Sequence, residues 1–217
     1  SRAPFFEEVF KEFNNSGSGD GHHHHHHHHP PDLLIISGLQ MLDNSPLAIQ
    51  QRSAAIGRMA DDLRVLQYHR PALKVHFEMA SYTENALLGA VVDSLFPTVD
   101  SFGMNEQEVA NLLSFLKYGN ISLVSSPFPR IAHVLDEMRQ LYSLLTMIDG
   151  GRVSRIHVHT LAYQVVAVKL EEEKEKGRDG KDATDAKWPN SAAAMAKAAL
   201  TAYRHTVSIC LYSFITF

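Results

Sequence analysis

Short apolar runs alternate with longer segments of helical periodicity along this chain, and this alternation constrains the fold more than any other sequence feature. The run DLLIISGLQML, residues 32–42, is typical of a strand buried on both faces, and the next segment repeats apolar residues at helical spacing. The order predicts an α/β fold with a mainly parallel sheet flanked by helices. Predicted strands are 32–42, 72–81, 98–102 and 155–161, with apolar chain at 163–168, and predicted helices are 46–68, 83–94, 103–116, 131–148 and 191–204.

Composition and charge exclude several classes of function. The 217 residues are 45% hydrophobic and 20% charged, which is ordinary for a globular protein and excludes wholesale disorder. The formal net charge of -4 provides no broad basic face for nucleic acid, and no apolar run reaches the ~18 residues of a membrane-spanning helix. Cys210 is the single cysteine, so no disulfide forms within the chain, which fits a reducing compartment.

Three segments are predicted to lie outside the packed core. Residues 14–31 combine a Gly/Ser-rich stretch with eight consecutive histidines, 22–29, and we predict a disordered insertion there. Transition-metal binding by the histidines and a purification tag are the alternatives, and the internal position favours an insertion. We also predict a charged surface loop at 171–187 and an atypical C-terminal tail at 207–217.

The N-terminus lacks an initiator methionine and opens inside an amphipathic helical pattern. We therefore expect this chain to be an internal fragment of a longer protein. The oligomeric state stays open at this level.

Polar side chains gather where three predicted strands end, which is where ligands bind in open α/β sheets. His76 and Glu78 lie on one face of their strand, because side chains alternate with period two. Asn105 and Glu108 are three residues apart at a helix start, so their oxygens point the same way. HVHT, residues 157–160, forms the third cluster. Two carboxylates converging from neighbouring strand ends suit Mg2+, which prefers oxygen ligands and keeps water and phosphate in its shell.

Each cluster also has a simpler structural interpretation. Asn105 and Glu108 match a capping box, in which the two side chains only start a helix. His76, His157 and His159 are then ordinary hydrogen-bonded histidines. The joint placement of the clusters favours a functional site, and either interpretation stays open for any one of them.

The sequence GSGD, residues 17–20, matches the Gly-x-Gly-Asp pattern with which some kinases hold a phosphate and position a catalytic base. For that role the glycines must open a helix whose amides face the phosphate. Eight histidines and two prolines follow instead, so we interpret Asp20 as part of a linker.

Four segments of the chain, taken in order, resemble the ADP-dependent glucokinase family, particularly its animal members. They are DLLIISGLQML, VHFEMAS, FPTVDSFGMNEQE and RIHVHTLAY, and the resemblance spans roughly residues 4–200. The His-x-Glu and Asn-x-x-Glu motifs are weak singly and specific in this order and context. The resemblance implies that the chain is part of a ribokinase-like large domain.

The resemblance also implies an activity and a set of site residues. The family transfers the terminal phosphoryl group of ADP to glucose, which gives AMP and glucose 6-phosphate and requires Mg2+. Two carboxylates would organise the Mg2+, namely Glu78 and Glu108. Four further residues would border the nucleotide or support these carboxylates, namely Asn105, His76, His159 and Tyr163.

The chain departs from the family pattern in two respects. The sugar-binding N-terminal portion with its small lid domain has no counterpart here, and neither has the Gly-x-Gly-Asp loop that supplies the catalytic aspartate. We therefore expect no catalytic residue in these 217 residues and no glucokinase activity from them alone. ADP and glucose would be partners of the full-length protein, and a non-catalytic module that binds nucleotide, Mg2+ or a partner is the alternative.

Overall fold

The computed structural model describes residues 31–121, 129–148, 152–160 and 163–169, together with 188, 193–194 and 196–201. The His-rich run, the GSGD motif, the charged loop and the C-terminal tail lie outside these residues. The chain divides into two compact units, Ser1–Ala167 and Val168–Phe217. In the second unit, residues 193–194 and 196–201 are helical, as their Ala-rich sequence predicts.

Five strands and four α-helices form the packed part of the described chain. In chain order they are β1 Leu33–Ile36, α1 Ile49–His69, β2 Lys74–Glu78, α2 Asn85–Ser94, β3 Ser101–Asn105, α3 Glu106–Tyr118, α4 Ile131–Met147, β4 Arg155–His159 and β5 Gln164–Val168, with 3₁₀ helices at Leu39–Asn44 and Phe96–Thr98. Within these ranges, no helix combines the length and apolar character that crossing a bilayer requires.

The sheet is parallel from β1 to β4, with the strands side by side in chain order. His76 of β2 stands opposite Ser101 of β3. β5 completes the sheet beside β4. Residues 160–163 alone join the two strands, which is too short a connection for the crossover that a parallel pair needs, so β5 runs antiparallel to β4. Beside this connection, the Thr160 amide donates to the Tyr163 carbonyl oxygen at 2.9 Å. The prediction of an α/β fold with a mainly parallel sheet is confirmed.

The helices that connect β1 to β4 lie on one face of the sheet. Crossovers between neighbouring parallel strands are right-handed, so a sheet in chain order places α1, α2 and the α3–α4 pair on the same side. Aromatic rings reinforce this core, since Phe77, Phe96 and Phe102 meet edge to face with centroids 4.7 Å to 6.2 Å apart. The strands contribute six buried apolar side chains, Val75, Phe77, Phe102, Met104, Ile156 and Val158.

The opposite face of the sheet is largely polar. On β1 it carries Leu33 and Ile35, whose exposures of 41% and 60% show that the expectation of a strand buried on both faces is wrong for β1. β1 is an edge strand of the described sheet, and the connecting helices cover only the other face. On β2 to β4 the alternate positions are Lys74, His76, Glu78, Ser101, Gly103, Asn105, Arg155, His157 and His159.

β3 continues beyond its predicted end. The predicted helix began at Gly103, whereas α3 begins at Glu106. Pairing with β4 extends through Asn105, which stands opposite His159, and this ladder holds the backbone extended. The tertiary contact therefore overrides the local helical pattern for three residues.

A buried aspartate joins the amino ends of three strands. Asp100, which is fully buried, accepts a hydrogen bond from the Val75 amide at 2.9 Å through Oδ2. Arg152 Nη2 donates to its two carboxylate oxygens at 3.1 Å and 3.3 Å. The Ser154 amide donates to the Asp100 carbonyl oxygen at 2.9 Å. These bonds fix β2, β3 and the entry to β4 at the end opposite the polar clusters.

Candidate functional site

Three polar residues lie at the carboxyl ends of neighbouring strands. Glu78 ends β2, Asn105 ends β3 and His159 ends β4. Register pairs Glu78 with Gly103 and Asn105 with His159, so the ends are adjacent in the sheet. The sequence predicted this edge as the binding site, and the parallel sheet brings the three ends together.

The Glu78 carboxylate lies between two histidines. His76 Nε2 is 3.1 Å from Glu78 Oε2, and His159 Nε2 is 3.0 Å from Glu78 Oε1. A carboxylate only accepts hydrogen bonds, so both imidazoles donate from Nε2. In its neutral form His76 then accepts from the Ser101 hydroxyl at Nδ1, where the separation is 2.9 Å. The arrangement holds both oxygens of Glu78 in fixed directions.

The hydrogen-bonded chain continues to a cation. Arg155 Nη1 lies 3.5 Å from Ser101 Oγ, on the same polar face. Burial lowers the pKa of the Arg155 guanidinium, and the charge of Glu78 partly offsets that effect. Arg155, Ser101, His76, Glu78 and His159 thus form one polar network across β2, β3 and β4.

Asn105 and Glu108 form the capping box that their spacing predicts. Asn105 Oδ1 accepts from the Glu108 amide at 2.9 Å, and Glu108 Oε2 accepts from the Asn105 amide at 2.8 Å. Both bonds satisfy amides that α3 leaves without intrahelical partners. The capping role is therefore confirmed, and it places the Glu108 carboxyl at the same edge as Glu78.

Burial makes Glu108 an unusual cap. Its residue exposure is 7%, and this burial raises the pKa of the carboxyl above its ordinary value of 4.5. The Asn105 amide and His159 lower that pKa, whereas the charges of Glu78 and Glu106 raise it further. A capping glutamate on a helix surface would be solvated, so the buried charge of Glu108 goes beyond what capping requires.

The loops beyond β1 and β2 are tied together beside this edge. Arg52 of α1 is buried, forms a bidentate ion pair with Glu84 and donates to the Leu42 carbonyl oxygen at 3.0 Å. Asp43 accepts from both the amide and the hydroxyl of Thr83, at 2.6 Å and 2.9 Å. The loop between β2 and α2 is therefore fixed against the 3₁₀ helix Leu39–Asn44.

Tyr163 lies apart from the Glu78 network. Its hydroxyl donates to the Pro129 carbonyl oxygen at 2.7 Å, and its backbone amide donates to Thr160 Oγ1 at 3.0 Å. Burial raises the pKa of the Tyr163 hydroxyl, as do the charges of Glu106 and Glu137. Tyr163 thus lies near the first turn of α3, and none of its described hydrogen bonds reaches Glu78.

Glu137 of α4 gives a pH-dependent prediction. Its carboxyl is buried, and Oε2 has no hydrogen-bond partner in the part of the chain that the structure describes. Burial raises the pKa of the Glu137 carboxyl above 4.5, although His133, 3.3 Å from Oε1, opposes the shift. The native state therefore binds this proton more tightly than the unfolded state, which favours folding below the unfolded pKa. That contribution is lost as the pH rises through the raised native pKa.

We expect Glu137→Gln to remove this pH dependence. The free energy of unfolding is measured by urea titration between pH 4 and pH 8. As the pH rises, the value for the wild type should fall relative to that for Glu137→Gln, because the glutamate becomes charged and the glutamine stays uncharged. Asp136→Asn is the matched control, since Asp136 is an exposed neighbour on the same helix. Parallel wild-type and Glu137→Gln profiles would show that this carboxyl does not titrate abnormally.

Sequence reasoning missed three members of the polar face. Ser101, Gly103 and Arg155 contact or face the His76–Glu78 pair, as the strand register shows. Period-two alternation within β3 was the available signal, since Ser101, Gly103 and Asn105 share one face. His157, by contrast, pairs with Gln164 at 3.1 Å, and burial lowers its pKa.

The donor set at the edge suits a hard cation. Among the described residues, no group of three or more His, Cys, Asp and Glu side chains is placed to hold a metal ion. Mg2+ commonly takes one or two carboxylates and completes its shell with water and phosphate, which the pair of Glu78 and Glu108 fits.

The fold and the site define an α/β protein with a mainly parallel sheet, a class that binds its ligands outside the carboxyl ends of the strands, where the polar residues of this chain gather. The comparisons with known proteins identify the family. Residues 17–214 match the model of the ADP-specific phosphofructokinase/glucokinase conserved region. The chain therefore belongs to the ADP-specific phosphofructokinase/glucokinase family, as its motifs predicted.

Individual relatives cover the chain unequally. It is 29% identical over 175 residues to the ADP-dependent glucokinase of Bos taurus, a match that covers 79% of this chain and 31% of that protein. It is also 29% identical over 132 residues to the ADP-specific phosphofructokinase of Pyrococcus furiosus, covering 61% and 28%. The chain spans about a third of the length of these relatives.

A solved ADP-dependent kinase in complex with fructose-6-phosphate and ADPbetaS superposes with a TM-score of 0.47 and 23% identity. This match covers 63% of the present chain and 29% of that protein.

Proposed function

We propose that this chain carries the Mg2+- and phosphate-binding edge of an ADP-dependent glucokinase. The observation that carries the proposal is the convergence of Glu78 and Glu108 on one edge of the sheet, beside the N-terminus of α3. The charge of Glu78 raises the pKa of the Glu108 carboxyl, and a cation bound by both carboxylates would offset that repulsion. The family provides the reaction, which is phosphoryl transfer from ADP to a sugar hydroxyl.

The described residues would have distinct tasks. Glu78 and Glu108 would hold Mg2+, which supplies neutralising charge on the transferred phosphoryl group. His76 orients Glu78 through its 3.1 Å contact, and Ser101 fixes the ring of His76. Asn105 would lie beside the nucleotide phosphates, because the N-terminal amides of α3 face that edge and favour anions.

The two remaining predicted residues border the nucleotide from β4 and its turn. His159 donates to Glu78 and stands opposite Asn105, so we propose that it would also contact a phosphate oxygen bound at the N-terminus of α3. Tyr163 is held by Pro129 and lies further along, so we propose a contact with the nucleoside part rather than with the phosphates. Neither residue would transfer a proton, and the base that deprotonates the sugar would come from outside these 217 residues.

Glucose is proposed as the acceptor because two animal relatives match 79% and 82% of this chain, namely the ADP-dependent glucokinase of Bos taurus and a protein of Caenorhabditis elegans named "Probable ADP-dependent glucokinase". The archaeal phosphofructokinases match a smaller share, 61% for Pyrococcus furiosus. A non-catalytic Mg2+–nucleotide module is the second candidate. The observation that favours it is that Asn105 and Glu108 cap α3 and Glu78 is held by two histidines, which are contacts that serve binding rather than proton transfer.

The test is a calorimetric titration of the 217-residue chain with ADP, ATP and AMP, each with and without Mg2+, followed by a coupled assay for glucose 6-phosphate. We expect Mg2+-dependent ADP binding without turnover by this chain, and turnover by a full-length kinase that includes it. Turnover with fructose 6-phosphate in place of glucose would overturn the assigned acceptor. Full-length protein that binds ADP and phosphorylates neither sugar would support the non-catalytic module.

A further inference from the structure

Gly103 occupies the middle of β3, where a glycine needs a specific reason. It lies opposite Glu78 on one side and His157 on the other. Among the described residues, positive φ angles occur at Gly38 and Gly119, so Gly103 has ordinary extended backbone that any residue adopts. Glycine inside a strand lacks a side chain to pack and weakens the strand, and it often marks a close approach of another group.

The space above Gly103 is filled by the Glu78 carboxylate. A Cβ built on Gly103 would lie 2.0 Å from Glu78 Oε2, 2.9 Å from Glu78 Cδ and 3.0 Å from His76 Nε2. All three atoms belong to the hydrogen-bonded pair at the strand end. A Cβ on Gly57 meets nothing within 4 Å, and one on Gly89 meets only Phe115 Cζ at 3.5 Å. Close approach is therefore particular to Gly103 among these three glycines.

We infer that Gly103 is a positioning residue. Because it has no side chain, the Glu78 carboxylate can pack directly against its Cα, between His76 and His159. A side chain at position 103 would displace the Glu78 carboxylate away from β3, because the long glutamate side chain moves more easily than the paired backbone of β3. The orientation of Glu78 toward a cation rests on the proposed function. The seating of the carboxylate between two histidines does not.

The experiment compares Gly103→Ala with wild type in the 217-residue chain. Imidazole ¹⁵N shifts of His76 and His159, recorded at one pH and assigned with His76→Gln and His159→Gln, report the two contacts to Glu78. We expect Gly103→Ala to move both sets of shifts toward those of Glu78→Ala. Gly57→Ala, an alanine in open space on α1, should leave both rings unchanged and serves as the matched control.

A second variant separates crowding from general damage. Glu78→Asp withdraws the carboxylate by about 1.5 Å, one carbon–carbon bond, and so relieves the contact with an alanine at position 103. Combined with Gly103→Ala it should be better tolerated than the sum of the two single changes. If Gly103→Ala fails to fold and Glu78→Asp restores folding, crowding against Glu78 is the cause. Failure to fold in both backgrounds, or unchanged histidine shifts, would overturn the inference.

Titration with Mg2+ alone tests whether the position of Glu78 against Gly103 affects cation binding. Loss of a group that orients a ligand typically weakens metal affinity about 10-fold to 100-fold, and we expect a decrease in that range for Gly103→Ala. Mg2+ is the suitable probe because it prefers oxygen ligands and avoids the eight consecutive histidines. If the wild type binds no Mg2+, the proposed cation site is wrong. The histidine shifts then still show whether Gly103 determines the position of the Glu78 carboxylate.

Discussion

Asp100→Ala is expected to lower the free energy of unfolding by about 2–4 kcal/mol, less than the full effect of breaking a completely buried ion pair, because the side chain of its partner Arg152 is 32% exposed. The carboxylate is fully buried, and the variant leaves Arg152 without this partner and the Val75 amide without its acceptor. An unsatisfied buried amide alone costs about 1–3 kcal/mol. Urea unfolding followed by circular dichroism measures the change.

Two further variants sharpen this stability experiment. Asp100→Asn keeps an oxygen for the Val75 amide and should cost less than alanine, about 1–3 kcal/mol. Asp93→Ala is the matched control, because Asp93 is an exposed aspartate on α2, and we expect a change within about 0.5 kcal/mol. A loss at Asp100 no larger than that at Asp93 would show that the three strand ends are held by the backbone ladder alone.

Glu108→Gln is expected to decrease kcat by about 10²-fold to 10³-fold in a complete ADP-dependent kinase carrying these residues, the typical effect of losing one preorganised electrostatic contact. Glutamine serves a capping box as well as glutamate does, so α3 should keep its start and the fold its stability. The variant therefore separates the two interpretations of Asn105 and Glu108. It removes the charge and retains the cap.

Glu106→Gln provides the control for this second experiment. Glu106 lies in the same first turn, so its loss removes the same charge and a similar interaction with the helix dipole, worth about 0.3–1 kcal/mol. We expect near wild-type kcat for Glu106→Gln. In the 217-residue chain, calorimetry should show that Glu108→Gln loses the Mg2+-dependent part of ADP affinity. Equal behaviour of the two variants would reduce Glu108 to a helix cap.

The capping box is an example of a site contact that could be predicted from the local sequence. Asn105 and Glu108 interact across three residues of one helix turn, so their hydrogen bonds follow from spacing alone. The pairing of His76 with Glu78 is similarly local, because two residues apart in a strand share a face. Spacing therefore predicted the capping box, and strand alternation predicted the shared face of His76 and Glu78.

The contacts of His159 and Tyr163 needed the tertiary structure. His159 reaches Glu78 across 81 positions of sequence, and only the order of β2, β3 and β4 brings them together. Tyr163 follows His159 by four residues, yet the turn into β5 directs its hydroxyl to Pro129. Neither contact can be predicted from helical or strand periodicity, because each depends on which strands are neighbours and where the chain reverses.

The sequence by itself determined the α/β class, the order of the α-helices and strands from β1 to β4, the family and the two short motifs at strand ends. Each of these depends on periodicity or on residues close in the chain. Tertiary structure alone decided that β3 runs on to Asn105, that one face of β1 is exposed, and that Gly103 lies under Glu78. Those features arise from hydrogen-bond ladders and close packing between segments distant in sequence, and such contacts leave no periodic trace in either segment.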